Sequence, residues 1–313
     1  MSYSHCQRGK DMTSAIGIGI LNLFIALGLS PLFEGVARKL RATVHSRIGP
    51  PVIQPYYDLL KLLGKEDIRS SSNYLAGLAP WACFAVVATA TLFVPIGTGE
   101  APFGAFGDAI LFIYIIALAA VALIVTAAAS ENPFALIGAS REMMMHLAVE
   151  PVLAIALITA AINARSFGMG DMVNWYHFHG PSLSMITATI FLFLALQAQV
   201  GKLPFDIPEA EQEVMGGVLI EQSGPQYALL MWSMMTKQII FVSLFCQIFI
   251  PWPRTGNLAW DILIHLAKVL VVVLIIGLID VVNPRLRIDQ AIKYYLLLVF
   301  FSLGSIAFAV IGA

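Results

Sequence analysis

The sequence predicts an all-α membrane protein: a bundle of about eight transmembrane helices with an amphipathic surface helix in the first cytoplasmic loop. Three observations carry that prediction. Of the 313 residues, 59% are hydrophobic and only 12% charged, where a soluble domain carries about 25% charged residues. The apolar residues fall in runs of about twenty, the length that crosses a bilayer. Between the first two runs, Val52, Tyr56, Leu59, Leu60 and Leu63 recur at helical spacing, with Asp58, Lys61 and Lys65 on the other face. That pattern suits a helix lying in the membrane surface or against a partner.

Residues 1–12 are polar and read as an N-terminal tail, with Met12 an alternative start; residues 13–313 read as a single transmembrane domain. No small-residue cleavage site follows the first apolar run, which is therefore expected to be a retained helix. The spans are expected at Thr13–Phe33, Leu75–Ile96, Asp108–Ala129, Met143–Ala164, Ser182–Val200, Tyr227–Ile250, Leu258–Ile279 and Ala291–Gly312. The loops 34–74, 130–142, 201–226 and 280–293 share one side and hold Arg38, Lys39, Arg41, Arg47, Lys61, Lys65, Arg69, Arg141, Lys202, Arg285, Arg287 and Lys293. The other side holds only Arg8, Lys10, Arg165 and Arg254. The positive-inside rule places the first set in the cytoplasm. The expected location is the cell inner membrane, multi-pass, with the large loops cytoplasmic.

Several function classes are excluded. The basic residues flank apolar runs without interleaved aromatics, so nothing supports nucleic-acid binding. Cys6, Cys83 and Cys246 are far apart and the six His show no ligand spacing, which argues against an iron–sulfur cluster or structural zinc held by this chain. There is no phosphate-cradling glycine loop and no nucleophile motif.

The candidate site is the acidic stretch between the fifth and sixth spans. Asp206, Glu209, Glu211 and Glu213 fall within eight residues, and Glu221 follows. Pro204 and Pro208 end the preceding helix, and Pro208 offers the start of a short new one. A helix from Pro208 sets Glu209 and Glu213 one turn apart, where like charges repel. Next to a membrane such carboxylates need water, cations or protons.

Ionisable groups also lie inside the spans. Glu150 is about eight residues into the fourth span, roughly 12 Å along it, followed by Pro151 and preceded by His146 on the same face. A carboxylate at that depth is a functional-site hypothesis by default. Lys237 sits near the middle of the sixth span and Lys268 near the middle of the seventh; Asp261, His265 and Lys268 form a polar stripe. These groups are read either as a proton path or as pairings that hold the bundle together. The methionines are most simply core filling.

Five ordered blocks run nearly end to end: Arg38-Lys39 with Arg47-Ile-Gly-Pro50; Gln54-Pro-Tyr-Tyr-Asp58 with Lys61-Leu-Leu-Gly-Lys-Glu66; Ala135-Leu-Ile-Gly-Ala-Ser-Arg141 with Glu150; Pro204-Phe-Asp-Ile-Pro-Glu-Ala-Glu-Gln-Glu213 with Glu221; and Pro284-Arg-Leu-Arg-Ile-Asp-Gln290. In them the chain resembles the subunit 1 family of respiratory complex I, the NADH dehydrogenase subunit 1 family. It looks most like the branch of membrane subunits of energy-converting NiFe hydrogenases such as formate hydrogenlyase. The resemblance implies a heel-like bundle that docks a soluble redox arm and links its chemistry to proton or sodium translocation. It places the acidic loop, Arg141 and Glu150 at a chamber and polar path beneath a terminal iron–sulfur cluster. That cluster and a NiFe centre are expected in partner subunits, with no cofactor bound by this chain. The implied partners are hydrogenase-type large and small soluble subunits and antiporter-like membrane subunits, besides the lipid bilayer.

The chain departs from the complex I pattern at Ala37 and Gln199, where that pattern has Glu, and near Met234, where it has an acid. His45-Ser-Arg and Lys237-Gln238 look like the hydrogenase branch. The expected function is the anchoring and coupling subunit of an energy-converting hydrogenase. Arg38, Lys39, Arg41 and Arg47 are expected to dock the soluble arm. Asp206, Glu209, Glu211, Glu213 and Glu221 are expected to sense or pass protons, with Arg141 and Glu150 opening the membrane route and Lys237 further along. The alternatives are the quinone-chamber subunit of a complex I-type NADH:quinone oxidoreductase, a self-contained secondary transporter, and a passive anchor.

Overall fold

The computed structural model describes residues 2–68, 73–97 and 108–312, apart from the side chains of residues 2–16 and of Glu211. Arg69 and the side chains of Cys6, Arg8, Lys10, Met12 and Glu211 thus lie outside the described residues. Within them the chain is an all-α, multi-pass membrane protein. Its helices are α1 (Ser2–Val44), α2 (Gln54–Leu63), α3 (Tyr74–Ala90), α4 (Ala109–Ala128), α5 (Pro133–Ala164), α6 (Met169–His179), α7 (Leu183–Gln199), α8 (Glu211–Val214), α9 (Gly224–Phe249), α10 (Leu258–Val282) and α11 (Ile288–Ile311). A 3-10 turn covers Gly217–Leu219. Eight of these helices answer to the eight expected spans. Six are long and apolar enough to cross a bilayer; α3 and α7 are shorter.

Local chemistry sets the boundaries. Asn132 accepts a bond from the Phe134 backbone N–H and Pro133 opens the helix, so α5 begins ten residues before the expected Met143 and takes in Arg141. Asn73, Ser182 and Asn257 cap α3, α7 and α10 in the same way. Conversely α3 stops at Ala90, short of the expected Ile96. The apolar run continues as a turn with Val94 and Ile96 buried, and the Val94 carbonyl accepts from Asn22 Nδ2 at 3.2 Å.

Pro31 lies inside α1 and lacks the N–H that would bond the Leu27 carbonyl one turn earlier. That carbonyl is satisfied instead by Ser30 Oγ at 3.1 Å and by Trp232 Nε1 of α9 at 3.0 Å. The next carbonyl, of Gly28, accepts from the Tyr56 hydroxyl of α2. The interruption in α1 is thus where α9 and the surface helix attach. The chain ahead of α2 comes so close to α1 that a Cβ on Gly35 would stand 1.9 Å from the Val52 carbonyl oxygen. The amphipathic helix α2 buries Pro55 and Leu59 while Tyr57, Leu60 and Leu63 stay exposed.

The central helix is α9: 78% of its most apolar window is buried, against 33% for α10 and 28% for α11. It packs on α1, α2, α3, α6, α7 and α10. On the other side α5 packs on α4, α7 and α11. Hydroxyl pairs join helices across the bundle, Ser30 with Thr236 at 3.2 Å and Thr159 with Ser305 at 2.9 Å, a use of small polar residues suited to apolar surroundings.

Candidate functional site

At the end of the bundle where the acidic stretch lies, a cavity of about 670 Å³ opens among α1, α5, α9 and the 199–220 segment. Its wall carries acids (Glu34, Glu142, Asp206, Glu209 and Asp280) and cations (Arg38, Arg41, Lys202 and Lys237). Further along, the lining turns apolar and sulfur-rich, with Cys83, Met145, Met231, Met234 and Met235.

The 201–209 segment is held in place by ion pairs to distant parts of the chain. Lys202 Nζ lies 2.8 Å from Glu34 Oε2, and Glu34 also receives Arg38 Nε at 3.4 Å. Arg38 continues to Asp58 of α2 at 3.2 Å, and Asp58 accepts from Gln54 at 3.0 Å. Asp280 at the end of α10 pairs with Arg41 and accepts the Leu203 backbone N–H at 3.0 Å. Asp206 takes Arg285 at 2.8 Å, and the Leu286 N–H donates to the Pro204 carbonyl at 3.0 Å. Among charged residues, Glu34 and Asp280 are the buried anchors.

The acidic stretch therefore divides. The expected helix from Pro208 is not formed: α8 is a four-residue turn beginning at Glu211, so Glu209 and Glu213 do not share a helical face. Glu209 lines the cavity. Burial pushes its carboxyl up to about 7, and the charges of Asp206 and Glu142 act in the same direction against Lys202 and Lys237. Burial also raises Asp206, opposed by its bond to Arg285. Glu213 is 53% exposed and pairs outside with Arg141 at 2.5 Å; the same guanidinium nitrogen reaches the Ile207 carbonyl at 3.4 Å. Glu221 accepts from Asn132 Nδ2 at the start of α5. Beside these contacts Gly217, at φ +52, rests on the Pro208 carbonyl and on Gly138 of α5, where a Cβ would stand 2.0 Å from that oxygen. Only glycine fits this left-handed position and approach.

Of the four cations expected at a docking surface, Arg38 and Arg41 turn inward to the pairs just described. Lys39 and Arg47 are exposed, with Lys39 reaching the Gly49 carbonyl at 3.5 Å. Glu150 does not line the cavity. Its Oε2 lies 3.4 Å from His146 Nε2 on α5. Lys237, also on the cavity wall, lies 5.9 Å from the Phe241 ring centroid and takes part in no ion pair found among the described residues. The polar stripe of α10 is not continuous: Lys268 caps the end of α9 through the Ile250 carbonyl at 2.9 Å. Asp261 clasps the preceding turn, accepting from Thr255 N at 2.7 Å, Thr255 Oγ1 at 2.8 Å and Gly256 N at 3.2 Å. His265 is buried with neither ring nitrogen bonded.

Glu34, Glu142 and Asp280 lie outside the acidic stretch and join it only in space, and in sequence Lys202 and Arg285 stand out only as orientation markers. The available signal is weak: Glu34 and Asp280 each close an apolar run on the loop-bearing side.

The family described as NADH dehydrogenase matches residues 16–311. Formate hydrogenlyase subunit 4 of Escherichia coli is 33% identical over 279 residues, covering 86% of this chain and 91% of that protein. Hydrogenase-4 component C of the same organism is 32% identical over 290 residues, covering 90% and 91%. An NADH-quinone oxidoreductase subunit of Rubrobacter xylanophilus is 27% identical over 289 residues, covering 86% of each. Among solved structures, a chain of the membrane-bound sulfane sulfur reductase, an archaeal respiratory membrane complex, superposes with a TM-score of 0.85 at 27% identity, covering 95% of this chain and 99% of that one.

Proposed function

The chain belongs to the NADH dehydrogenase subunit 1 family, and from that membership we propose that it anchors and couples a hydrogenase-type complex. In this reading the complex reduces protons with electrons from a low-potential donor, and this subunit links that reaction to proton or sodium movement. The observation that carries it is the cavity: five carboxylates and four cations gathered from α1, α5, α9, α10 and the 199–209 segment, one of them a carboxyl poised near neutral pH. A group poised there responds to a change of charge next door by gaining or losing a proton. The higher identity to the formate hydrogenlyase and hydrogenase-4 proteins than to the NADH-quinone oxidoreductase protein favours the hydrogenase branch.

On this reading the soluble large and small subunits dock over the cavity mouth, with Lys39 and Arg47 free to meet them. Iron–sulfur clusters and the NiFe centre belong to those partners, and antiporter-like subunits adjoin the bundle. The loop-bearing side faces the cytoplasm of an inner-membrane complex. Asp206 and Glu209 take up protons at the junction; Arg141 and Glu213 steady the outer edge; Glu150 and Lys237 continue inward.

The test is the purified complex in vesicles. It should contain nickel and evolve H2 from reduced methyl viologen while moving ions. Glu150→Gln or Glu213→Gln should uncouple or halt it; normal turnover and normal pumping in both variants would remove the idea. The similarity to the Rubrobacter protein supports a second reading, the quinone-chamber subunit of an NADH:quinone oxidoreductase. Quinone reduction without H2 evolution would select it.

A further inference from the structure

We propose that Glu142, His146 and Glu150 form a proton-transfer ladder down one face of α5, leading from the cavity into the bundle, with Lys237 of α9 as its fixed counter-charge. This deepens the coupling role proposed above and rests on it. The three residues stand at i, i+4 and i+8, so they share a face and step about 6 Å along the helix each time. Glu142 lines the cavity, which makes it the open end. Glu150 lies 3.4 Å from the imidazole of His146 and outside the cavity wall, which makes it the inner end.

The middle rung is free to work. His146 Nε2 is buried and holds no hydrogen bond, so nothing locks it to one partner while the Glu150 carboxylate stands beside it. The other buried ionic groups of the chain are tied down: Glu34 to Lys202 and Arg38, Asp280 to Arg41 and Leu203, Lys268 to Ile250. His265 is also unbonded, but it has only Lys268 beside it. For the ladder, the nearby charge is Lys237, which acts on His146, Glu150 and Glu209. An ammonium there stabilises the ionised carboxylates between transfers.

The step conserves protons. The imidazole takes a proton from the Glu142 carboxyl, directly or through one water bridging a helical turn. It then releases the Nε2 proton to the Glu150 carboxylate. Glu142 ends ionised, His146 neutral and Glu150 a neutral acid, and a proton from the cavity resets Glu142.

The experiment uses the intact complex in vesicles, with reduced methyl viologen as donor, H2 read at an electrode and proton movement read by an entrapped pH dye. His146→Gln and Glu142→Gln should each lower proton movement at least tenfold, while Glu142→Asp, which keeps the acid, retains more than half. Parental pumping in either amide variant overturns the ladder, as does a Glu142→Asp variant as impaired as Glu142→Gln. Failure of both amide variants to assemble would assign these residues to packing and overturn it too. Glu150→Gln in the same series separates the two levels. If it uncouples while His146→Gln does not, the ladder alone falls; if it also pumps normally, the coupling role falls with it.

Discussion

Replacing Glu209 by Gln should remove a pH-dependent cost of folding. In the folded chain the Glu209 carboxyl is pushed from its ordinary 4.5 up to about 7, first by burial and then by Asp206 and Glu142. At about 1.4 kcal/mol per pH unit that gap is worth about 3 kcal/mol; its partial contact with the cavity mouth reduces the expected effect to about 1–3 kcal/mol. The sign follows from which state holds the proton longer. As pH rises the unfolded chain releases it near 4.5, while the folded chain keeps it to about 7. Stability from this group is therefore full below about pH 4.5, falls as pH rises to about 7, and is flat above. Gln has no proton to lose, so Glu209→Gln should gain about 1–3 kcal/mol on its parent between pH 4.5 and pH 8. The assay is unfolding of the complex in detergent at both pH values, parent and variant side by side. A difference between them that does not change with pH would refute the assignment of a burdened carboxyl to the cavity.

Three further outcomes follow from the geometry. Gly217→Ala should cost at least about 2 kcal/mol and displace the acidic stretch, because a Cβ at φ +52 meets the Pro208 carbonyl; thermal unfolding and protease sensitivity near residue 210 report it. Asp280→Ala strands Arg41 and the Leu203 N–H and should cost about 1–3 kcal/mol, less than a fully buried pair because Arg41 is 45% exposed; retained parental unfolding would contradict the anchor. Lys268→Met removes the cap on α9 and should cost about 1 kcal/mol with pumping unchanged; lost pumping would move Lys268 from the structural to the transport side.

The eight-helix plan was legible because apolar runs of membrane length carry one meaning in a chain this poor in charge. The ends were less so. Hydropathy does not distinguish a span from a buried apolar turn, so the run through Val94 and Ile96 reads as helix. The Asn132-Pro133 pair reads as loop although it is the start signal of α5. The acidic stretch was legible as a cluster, but its internal division was not. Which carboxylate faces the cavity depends on partners 168 residues away for Lys202 and Glu34 and 239 away for Arg41 and Asp280. The docking cations show the same limit: Arg38 and Lys39 are neighbours in sequence, yet one turns inward to Glu34 and the other outward.

Residues 203–206 are stitched to the turn between the last two helices at three points: Leu203 to Asp280, Pro204 to Leu286 and Asp206 to Arg285. Such a segment has no slack of its own. A tug on it is handed to 280–286 and from there along α11, whose outer flank bears Leu296, Leu297, Phe300 and Phe301. A neighbour seated on that flank thus grips the far end of the same lever, and a disturbance at the mouth reaches it sideways, through backbone, without any ion having to make the journey.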